Sequence, residues 1–417
     1  MGVIMKRKLL VLGALPSELG GSYTTGVTNV VSSLTPFFSK DYQTALFATN
    51  ARIKGIKLWI PWSNNDSIHI YGYTYLKLLW LFLKEIFFRP FKSYREMIEY
   101  RRIYGAPPLR MFLYQVNLSN VLLDFKPDIL HIHGLLLESV VKNTGYSGLK
   151  ITTLHGIFSE DQNAIEFNKS KGFDIKKLYY ESAKLINNLT CLTPEMLKKS
   201  KQILKIDNIP IRIISNGVNL KRFRFEESTR QDYRHRYGIN NDEIIFLSVS
   251  SLTKRKGHMD FIRFMNRTKL PGKYWIIGDG LEFNILKQEI KRLDLEDKVN
   301  LIGFIPNDQL YNFYSSADIF VLPSSAEGQA LCMLEAAATG LKILVNKRIK
   351  GTLNLPKEIS KYISYLDLNI DILNTSDDFI HWINRNISRK EIIDKMHLYS
   401  WNNIANIYLK FFEELDS

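Results

Sequence analysis

The stretch DIFVLPSSAEGQALCMLEAAATG, residues 318–340, combines a strand, a loop and a helix in the order that an alternating α/β fold repeats. Its first part, DIFVLPSS, is typical of a short buried strand, and the alanine-rich part is typical of a helix. Glu327 comes just before the helix, and Glu335 lies inside it beside Leu334 and Ala336. A buried carboxylate is costly unless something pairs with it, so Glu335 indicates either a bound polar partner or a solvent-facing position.

Similar apolar runs alternate with helical patterns along the whole chain. In the first half they are KLLVLGAL, QTALFAT, DILHIHG, ITTLHG and NLTCLT, and in the second RIISNG, IIFLSVS, KYWIIGDG, VNLIGF, DIFVLPSS and LKILVN. Buried strands interleaved with helices indicate parallel sheets covered on both faces. The series restarts at NDEIIFLSVSSL, after a charged stretch at 221–241. With 417 residues, the chain therefore predicts two doubly wound domains that meet near 220–240.

Composition argues against several classes of protein. Only two cysteines occur, Cys191 and Cys332, which argues against a disulfide framework and predicts a cytoplasmic, reducing location. No uninterrupted apolar run reaches the roughly 18 residues of a membrane-spanning helix. The opening MKRKLLVLGAL imitates a signal peptide. Because no clean small-residue cleavage site follows, a buried first strand at 9–15 is the favoured interpretation.

The positive charge is concentrated in the first half of the chain. The net charge is +14, and residues 1–200 carry 25 Lys/Arg against 15 Asp/Glu, whereas the remainder carries 31 against 27. A basic half suggests an anionic partner, and no recognition motif supports nucleic acid. The segment 74–105, TYLKLLWLFLKEIFFRPFKSYREMIEYRRIYG, mixes aromatic and basic residues. It predicts either a helix on an anionic membrane surface or a core helix with solvated charges.

Glycines follow three of the predicted strands, at Gly20–Gly21, at Gly257 and at Gly278 and Gly280. Such glycines either allow backbone N–H groups to approach a phosphate or simply allow tight turns. GDGLEF lacks the third glycine of a dinucleotide fingerprint, and the chain has no phosphate-binding P-loop and no Asp-x-Asp pair. These absences argue against a P-loop ATPase and favour a site without a metal.

The spacing of the two glutamates suits a ligand with two polar ends. Eight helical residues span about 12 Å, which is comparable to the distance from a ribose to a sugar ring across a pyrophosphate. Glu335 would then accept hydrogen bonds from ribose hydroxyls, Glu327 would hold the sugar, and the helix start would face the pyrophosphate. The alternative is that Glu335 faces solvent and Glu327 is a charge at the helix start.

The string SSAEGQALCMLEAAATG, residues 324–340, resembles the signature of the retaining glycosyltransferases of family 4, with Glu327 and Glu335 as its paired glutamates. Other segments resemble that family's motifs in the same order: GG at 20–21, LHG at 154–156, SNGVNLKRF at 215–223, SSLTKRKG at 250–257, IGDG at 277–280 and SWNNIANIYLKFFEEL at 400–415. The resemblance covers nearly the whole chain. It implies a GT-B fold, in which two Rossmann-like, doubly wound domains face a cleft and the last helix crosses back to the first domain.

Domain boundaries and site residues follow from the same resemblance. An acceptor-binding domain would span 1–222 with the helix 396–417 packed on it, and a nucleotide-sugar-binding domain would span 223–395. The implied catalytic residues are Glu327, His155 and Lys256. The implied donor-binding residues are Gly21, Ser251, Arg255, Lys256, Gly278, Phe304, Gly328, Gln329, Ala330, Leu331, Cys332 and Glu335. In these roles Lys256 would pair with the departing phosphate, and His155 would contact the sugar.

The resemblance also implies a reaction. A hexosyl or N-acetylhexosaminyl group would pass from a nucleotide sugar, with UDP favoured, to a glycan or lipid-linked acceptor in surface polysaccharide assembly. The anomeric configuration would be retained, with no metal and no other cofactor. Two departures bear on the donor: Ser250-Ser251 replaces the family's Gly-Arg, and Gln329 stands where an aromatic or aliphatic residue is common. The alternatives are a nucleotide-sugar 2-epimerase of the same architecture and a non-catalytic binder. A location on the inner face of the cytoplasmic membrane would suit the acceptor.

Overall fold

The chain forms two compact units. The computed structural model describes residues 6–22, 24–52, 59–61, 68–104, 108–157, 165–166, 169, 174–368, 377–385 and 388–416. Unit 1 comprises Met1–Asn216 together with Trp401–Ser417, and unit 2 comprises Gly217–Ser400. The SNGVNLKRF motif thus crosses from one unit to the other, whereas the sequence predicted a junction after residue 222.

Unit 1 is built on an eight-stranded sheet. Its strands are β1 (Lys8–Gly13), β2 (Gln43–Arg52), β3 (Trp59–Pro61), β4 (Ile68–Tyr73), β5 (Ile129–His133), β6 (Leu149–Leu154), β7 (Leu189–Cys191) and β8 (Ile211–Ile213). The order across the sheet is β3-β4-β2-β1-β5-β6-β7-β8. Only β3 runs antiparallel to its neighbour, among the described strands. The order reverses direction between β1 and β5, which is the switch point of a doubly wound fold.

Helices cover both faces of this sheet. They are α1 (Gly26–Phe38), α2 (Tyr75–Phe88), α3 (Pro90–Tyr104), α4 (Pro108–Phe125), α5 (Leu136–Thr144), α6 (Ile175–Ala183), α7 (Pro194–Ile203) and the C-terminal helix Trp401–Asp416. The C-terminal helix belongs to unit 1 because Phe38 of α1 packs against Tyr408 and Phe412, with ring centroids 6.1 and 5.7 Å apart. The start that imitates a signal peptide is the central strand β1, whose residues Leu9 to Leu12 are fully buried.

Unit 2 is built on a six-stranded parallel sheet. Its strands are β9 (Ile245–Val249), β10 (Lys273–Ile277), β11 (Val299–Gly303), β12 (Ile319–Leu322), β13 (Lys342–Asn346) and β14 (Ile363–Leu366). Its helices are α8 (Glu227–Arg236), α9 (His258–Thr268), α10 (Phe283–Arg292), α11 (Leu310–Ser316), α12 (Leu331–Ala338), α13 (Asp377–Asn384) and α14 (Arg389–Met396). The strand order β11-β10-β9-β12-β13-β14 is the 3-2-1-4-5-6 order of the Rossmann fold.

The predicted α/β fold with two Rossmann-like units is confirmed. Strands β3, β4 and β14, at or next to sheet edges, were not predicted from the sequence. In the described part of the chain, no helix has the length and apolar content that crossing a bilayer requires.

An arginine cluster fixes β12 against β9. Asp318, just before β12, accepts hydrogen bonds from Arg230 at 2.6 Å and from Arg234 at 3.2 Å, and from the backbone N–H of Ile245 at 2.9 Å. The Arg234 side chain is almost fully buried. Because a buried guanidinium must be paired, this cluster holds the first residues of the two central strands in register. The carboxyl ends of the same two strands carry the candidate site.

Candidate active site

Two loops meet at the carboxyl ends of β9 and β12, where the strand order of unit 2 reverses. Ligands of doubly wound sheets bind at this position. The backbone N–H of Ser325 donates to the carbonyl of Arg255 at 2.9 Å, and the Arg255 guanidinium donates back to the carbonyl of Ala326. Gly257 has φ +72°, and a Cβ there would overlap the carbonyl oxygen of Pro323. The two loops are therefore held in close contact along their length.

An ion pair joins these loops. The Lys256 ammonium donates to Oε1 of Glu327 at 2.6 Å, and the Arg255 guanidinium lies 3.6 Å from Oε2 of Glu327. The side chains of Lys256 and Glu327 are 12% and 8% exposed. The structure thus brings together three of the residues singled out in the sequence.

Electrostatics keep Glu327 ionised. Burial alone would raise the pKa of this carboxyl, but the positive charges of Lys256 and Arg255 outweigh burial and hold the pKa below its usual value. An ionised carboxylate only accepts hydrogen bonds, so Glu327 suits sugar hydroxyls and not proton donation. An ammonium has three N–H groups, and Lys256 donates a hydrogen bond from one of them to Glu327. The others can donate to an anionic ligand.

Glu335 has a partner that the sequence did not reveal. The hydroxyl of Tyr314, on α11, donates to Oε2 of Glu335 at 2.8 Å. Tyr314 is fully buried, and Glu335 is half-buried on α12. Burial raises the pKa of Glu335 to about 7, although the Tyr314 hydroxyl and the charge of Arg222 oppose that shift. Glu335 thus has a side-chain partner inside the protein, and Glu327 lies in the loop ahead of the N-cap Ala330.

The start of α12 lies between the two glutamates. The helix runs from Leu331 to Ala338 with Ala330 as its N-cap, so residues 327–330 are not helical and the helical-rise estimate of their spacing does not apply. The N–H groups of the first helical turn have no partner within a helix, and the helix dipole favours an anion there. The side chain of Gln329 is buried and donates to the carbonyl of Leu353 at 3.4 Å. Burial raises the pKa of the Cys332 thiol to about 12.

Other predicted donor residues lie at the same edge of the sheet. Ser251 follows β9, Gly278 follows β10 and Phe304 follows β11. The backbone N–H of Gly278 donates to the carbonyl of Gly303 at 2.8 Å, which joins two of these loops. Phe304 is 69% exposed, so its ring is available to a ligand. Gly328 lies directly between Glu327 and Gln329.

A buried polar chain supports the loop that carries Lys256. His258 shares one hydrogen bond with the Ser250 hydroxyl at 2.8 Å and another with the Tyr274 hydroxyl at 2.9 Å. Tyr274 is also hydrogen-bonded to Ser248, whose hydroxyl donates to the carbonyl of Val321 on β12. Burial and the nearby Lys256 charge lower the pKa of His258 to about 3, so the ring is neutral. The sequence offered one signal for His258, its position directly after Gly257.

In unit 1, Gly21 comes after β1, which flanks the switch point of that sheet. His155 directly follows β6, the neighbour of β5. Gly21 forms a bridge with Ala51. His155 shares a hydrogen bond of 2.9 Å with His133, the last residue of β5, and the two rings stack 5.1 Å apart. Burial lowers the pKa of His155 to about 4, so the ring is neutral. Sequence reasoning missed His133, although its position at a strand end next to a predicted site strand was a usable signal.

Among the described residues, no group of three or more His, Cys, Asp or Glu side chains is arranged to hold a metal ion.

Two family models match the chain, one in each half. Glycosyltransferase Family 4 matches residues 83–222, and Glycosyl transferases group 1 matches residues 229–359. Together they cover more than half of the chain. The second match contains the loops of Lys256 and Glu327 and all of α12.

A curated relative from Escherichia coli is named UDP-Gal:alpha-D-GlcNAc-diphosphoundecaprenol alpha-1,3-galactosyltransferase. It is 27% identical over 304 residues, which cover 70% of this chain and 74% of the relative. Among solved structures, sucrose-phosphate synthase from Thermosynechococcus elongatus has a TM-score of 0.72 at 16% identity, over 98% of this chain and 99% of that one. HepE of Anabaena, solved in complex with UDP, has a TM-score of 0.66 at 14% identity, over 98% and 100%. These two structures show the fold.

Proposed function

This chain belongs to glycosyltransferase family 4 and is a glycosyltransferase of the GT-B type, and from this premise we propose that it is a retaining, metal-independent enzyme that uses a UDP-sugar. The acceptor we propose is a glycan or a lipid-linked glycan in surface polysaccharide assembly. The observation that carries the proposal is the Lys256–Glu327 pair at the switch point of a Rossmann-order sheet. Support for UDP and for a lipid-linked acceptor comes from the name of the E. coli relative. The cytoplasmic location stays a prediction.

The donor binds along the loops of unit 2. We assign the ribose hydroxyls to Glu335, the transferred hexosyl or N-acetylhexosaminyl group to Glu327, and the diphosphate to Lys256 and the amides of Ala330, Leu331 and Cys332. A ribose diol would donate to the Glu335 carboxylate, which now accepts one hydrogen bond from Tyr314. Since hydroxyl donors favour the charged form of a carboxyl, binding would lower the pKa of Glu335 again.

Phosphate binding also depends on the loop after β9. In the proposal, Ser251 and Arg255 contact the diphosphate, while Gly278 lets the neighbouring loop approach it. Arg255 is partly engaged by the Ala326 carbonyl and Glu327. Because serine replaces the family's arginine at 251, Lys256 is left as the main cation of the loop. Phe304 would offer its exposed ring to the base.

The chemical step follows from where charge develops. As the bond from the anomeric carbon to the phosphate oxygen breaks, the electron pair stays on the phosphate, which gains negative charge. Lys256 and the first-turn amides of α12 stabilise that charge more in the transition state than in the ground state, without a metal. The acceptor hydroxyl attacks the same face of the sugar, and its proton passes to the departing phosphate. The roles that the family resemblance gives His155 and Gly21 stay predictions.

Nucleotide binding can be measured by thermal melting. A ligand at 100 times its dissociation constant stabilises by about 2.7 kcal/mol, and each kcal/mol shifts the melting temperature by roughly 2–4 °C. UDP is expected to shift the wild type and the control Glu296→Ala, an exposed glutamate of unit 2, but not Glu335→Ala. A shift with GDP or ADP but not UDP would contradict the proposed donor.

Turnover tests the remaining parts of the proposal. Incubation with UDP-sugars should release UDP and the free or transferred sugar, with rates unchanged by EDTA. Nuclear magnetic resonance of the first product should show the donor's anomeric configuration. An epimerised UDP-sugar would contradict sugar transfer, and an inverted product would contradict retention of configuration. Loss of activity with EDTA would contradict a metal-independent reaction.

A further inference from the structure

The helices α2 and α3 of unit 1 turn apolar side chains outward. Ten large apolar residues there are between 50% and 90% exposed: Tyr75, Leu76, Leu79, Trp80, Leu83, Phe87, Phe88, Phe91, Tyr94 and Ile98. These ten residues form what we term the outer apolar face. On α2 they recur at the spacing of one helical stripe, so that the stripe turned away from the sheet is apolar. A surface helix of a globular protein normally shows the reverse pattern.

The inner sides of the same helices account for their packing. Leu81 and Tyr100 are buried, and the ring of Phe82 packs edge-on against Phe112 of α4, with centroids 6.1 Å apart. The Tyr100 hydroxyl donates to the Gln115 side chain at 2.7 Å. The outer apolar face therefore contributes nothing to the core of unit 1. The alternative of a core helix accounts for Phe82, but it does not account for the exposed rings of Trp80, Phe87, Phe88 and Phe91.

The size of this face is unusual. Six of its residues are aromatic, and at these exposures they leave on the order of 800 Å² in contact with solvent, taking roughly 200 Å² for each side chain. The largest apolar patch on a typical monomer is about 300–600 Å². Patches larger than this mark sites of interaction with a protein or a membrane.

Charge identifies the partner. Six cationic side chains on these helices are exposed: Lys84, Arg89, Lys92, Arg95, Arg101 and Arg102. The three acidic side chains, Glu85, Glu96 and Glu99, are buried or half-buried, and each lies 3.0–3.7 Å from a basic partner. Within residues 75–103, all of them described, the fully exposed charges are thus positive, whereas the three carboxylates are at most 25% exposed and lie beside basic groups.

We infer that the outer apolar face docks on an anionic lipid bilayer. Aromatic and leucine side chains would enter the boundary between headgroups and acyl chains, and the cations would contact anionic headgroups. The Lys84 ammonium lies 5.1 Å from the Trp80 ring centroid, so this lysine can reach the headgroups while its stem stays in apolar contact. A second copy of the chain would bring six cations against the same six, which disfavours a symmetric dimer through this face.

The charge contribution is tested by reversal. Vesicle co-sedimentation of the full chain compares phosphatidylcholine with phosphatidylcholine containing phosphatidylglycerol. The test variant is Arg95→Glu, Arg101→Glu, Arg102→Glu, which spares Lys92 because Lys92 pairs with the buried Glu96. Each cation near an anionic surface is worth about fivefold in binding, so the variant should bind at least about 100-fold more weakly. The matched control is Lys177→Glu, Lys198→Glu, Lys201→Glu, which makes the same charge change on other exposed helix positions of unit 1.

The apolar contribution is tested separately. Trp80→Ser with Phe87→Ser removes two exposed rings and should weaken vesicle binding at least about tenfold. The control Leu398→Ser with Ile407→Ser removes two exposed apolar side chains away from these helices and should bind like the wild type. All variants should remain folded and keep the wild-type UDP-induced shift, because no substituted residue lies in a core or at the donor loops.

Three results would overturn the inference. The first is a wild type that does not bind anionic vesicles, and the second is binding that survives both sets of substitutions. The third is a wild-type dimer that the aromatic substitutions convert to a monomer, which would make this face an interface between copies. The inference does not depend on the proposed function, since vesicle binding and the UDP-induced shift are read separately and either can fail alone.

Discussion

The Lys256 ammonium lies 2.6 Å from the Glu327 carboxylate, across the two loops that follow the central strands of unit 2. The pair connects the two parts of the proposed donor site, since Glu327 is assigned to the sugar and Lys256 to the phosphate that leaves it. The charges of Lys256 and Arg255 outweigh burial and hold the pKa of Glu327 below its usual value, so this carboxylate is ionised before a ligand arrives. The site is therefore organised in the absence of donor.

The substitution Lys256→Met is expected to lower kcat/KM by about 10²–10³-fold, because it removes the cation nearest the developing phosphate charge. It should also destabilise the fold by about 3 kcal/mol at neutral pH, since Glu327 is left buried with only the more distant Arg255. The pKa of Glu327 is lowered in the fold, so the pair's contribution is present above the unfolded value of 4.5 and is lost as pH falls through the folded pKa. Urea unfolding at several pH values measures this.

The control for this variant is Lys254→Met, an exposed lysine in the same turn. It should leave both stability and kcat/KM close to the wild type. Equal effects of the two substitutions, or a stability loss at Lys256 that does not shrink below pH 4.5, would refute the electrostatic role of the pair.

The substitution Glu335→Gln is expected to stabilise the protein without ligand at pH 8. The folded pKa of about 7 lies above the unfolded value of 4.5, so the wild type loses stability as pH rises from 4.5 to 7. At 1.36 kcal/mol per unit, the upper limit of that loss is about 3 kcal/mol. Glutamine has no such loss and can still accept from Tyr314. The melting temperature of the variant should exceed that of the wild type at pH 8 and match it near pH 4.5.

Ribose binding should depend on the ionisation of Glu335. Uridine is the suitable probe because it carries no phosphate that titrates near pH 6. Its affinity for the wild type should increase as pH rises from 6 to 8, since the carboxylate is the better acceptor for two hydroxyls and becomes populated near pH 7. Calorimetric titration at each pH should show this rise, and Glu335→Gln should show none. A flat profile for the wild type would remove Glu335 from the ribose site.

Sequence reasoning located the central strands and missed the edge strands for a physical reason. The strands beside the switch points are buried on both faces, so they read as continuous apolar runs such as IIFLSVS. The edge strand β14 has only four residues, and β4 contains Gly72, so their patterns are weak. The fold class depends on the central strands, which is why it was predictable.

The candidate site was predictable only where the loop sequence itself carried the information. Glu327 and Lys256 follow strands that end at the same edge of the sheet, so their proximity follows from the fold. Tyr314 is 21 residues from Glu335, and only the tertiary fold of unit 2 brings the two side chains together. The sequence also does not show which side chains are used within the protein. Gln329 looks like a ligand group in the sequence, but in the structure its side chain is buried and donates to the carbonyl of Leu353.

The close contact between the two loops leads to a last prediction, for Gly257→Ala. At φ +72° an alanine costs about 1–2 kcal/mol relative to glycine, and the added Cβ would also overlap the Pro323 carbonyl. Backbone on both sides would have to move, and the loop that carries Lys256 would shift away from Glu327. The matched control is Gly238→Ala, at φ +63° in the same unit with no atom within 4 Å of the added Cβ.

Gly238→Ala should therefore show the backbone cost alone, whereas Gly257→Ala should lose at least about 2 kcal/mol more, as is typical of forced overlap in a packed site. Urea unfolding gives the stability difference. Calorimetric titration with UDP, at a temperature where both variants are folded, should show weaker binding only for Gly257→Ala. If the two variants were equally stable and bound UDP equally well, the close contact of the β9 and β12 loops would not be what positions Lys256 for the donor.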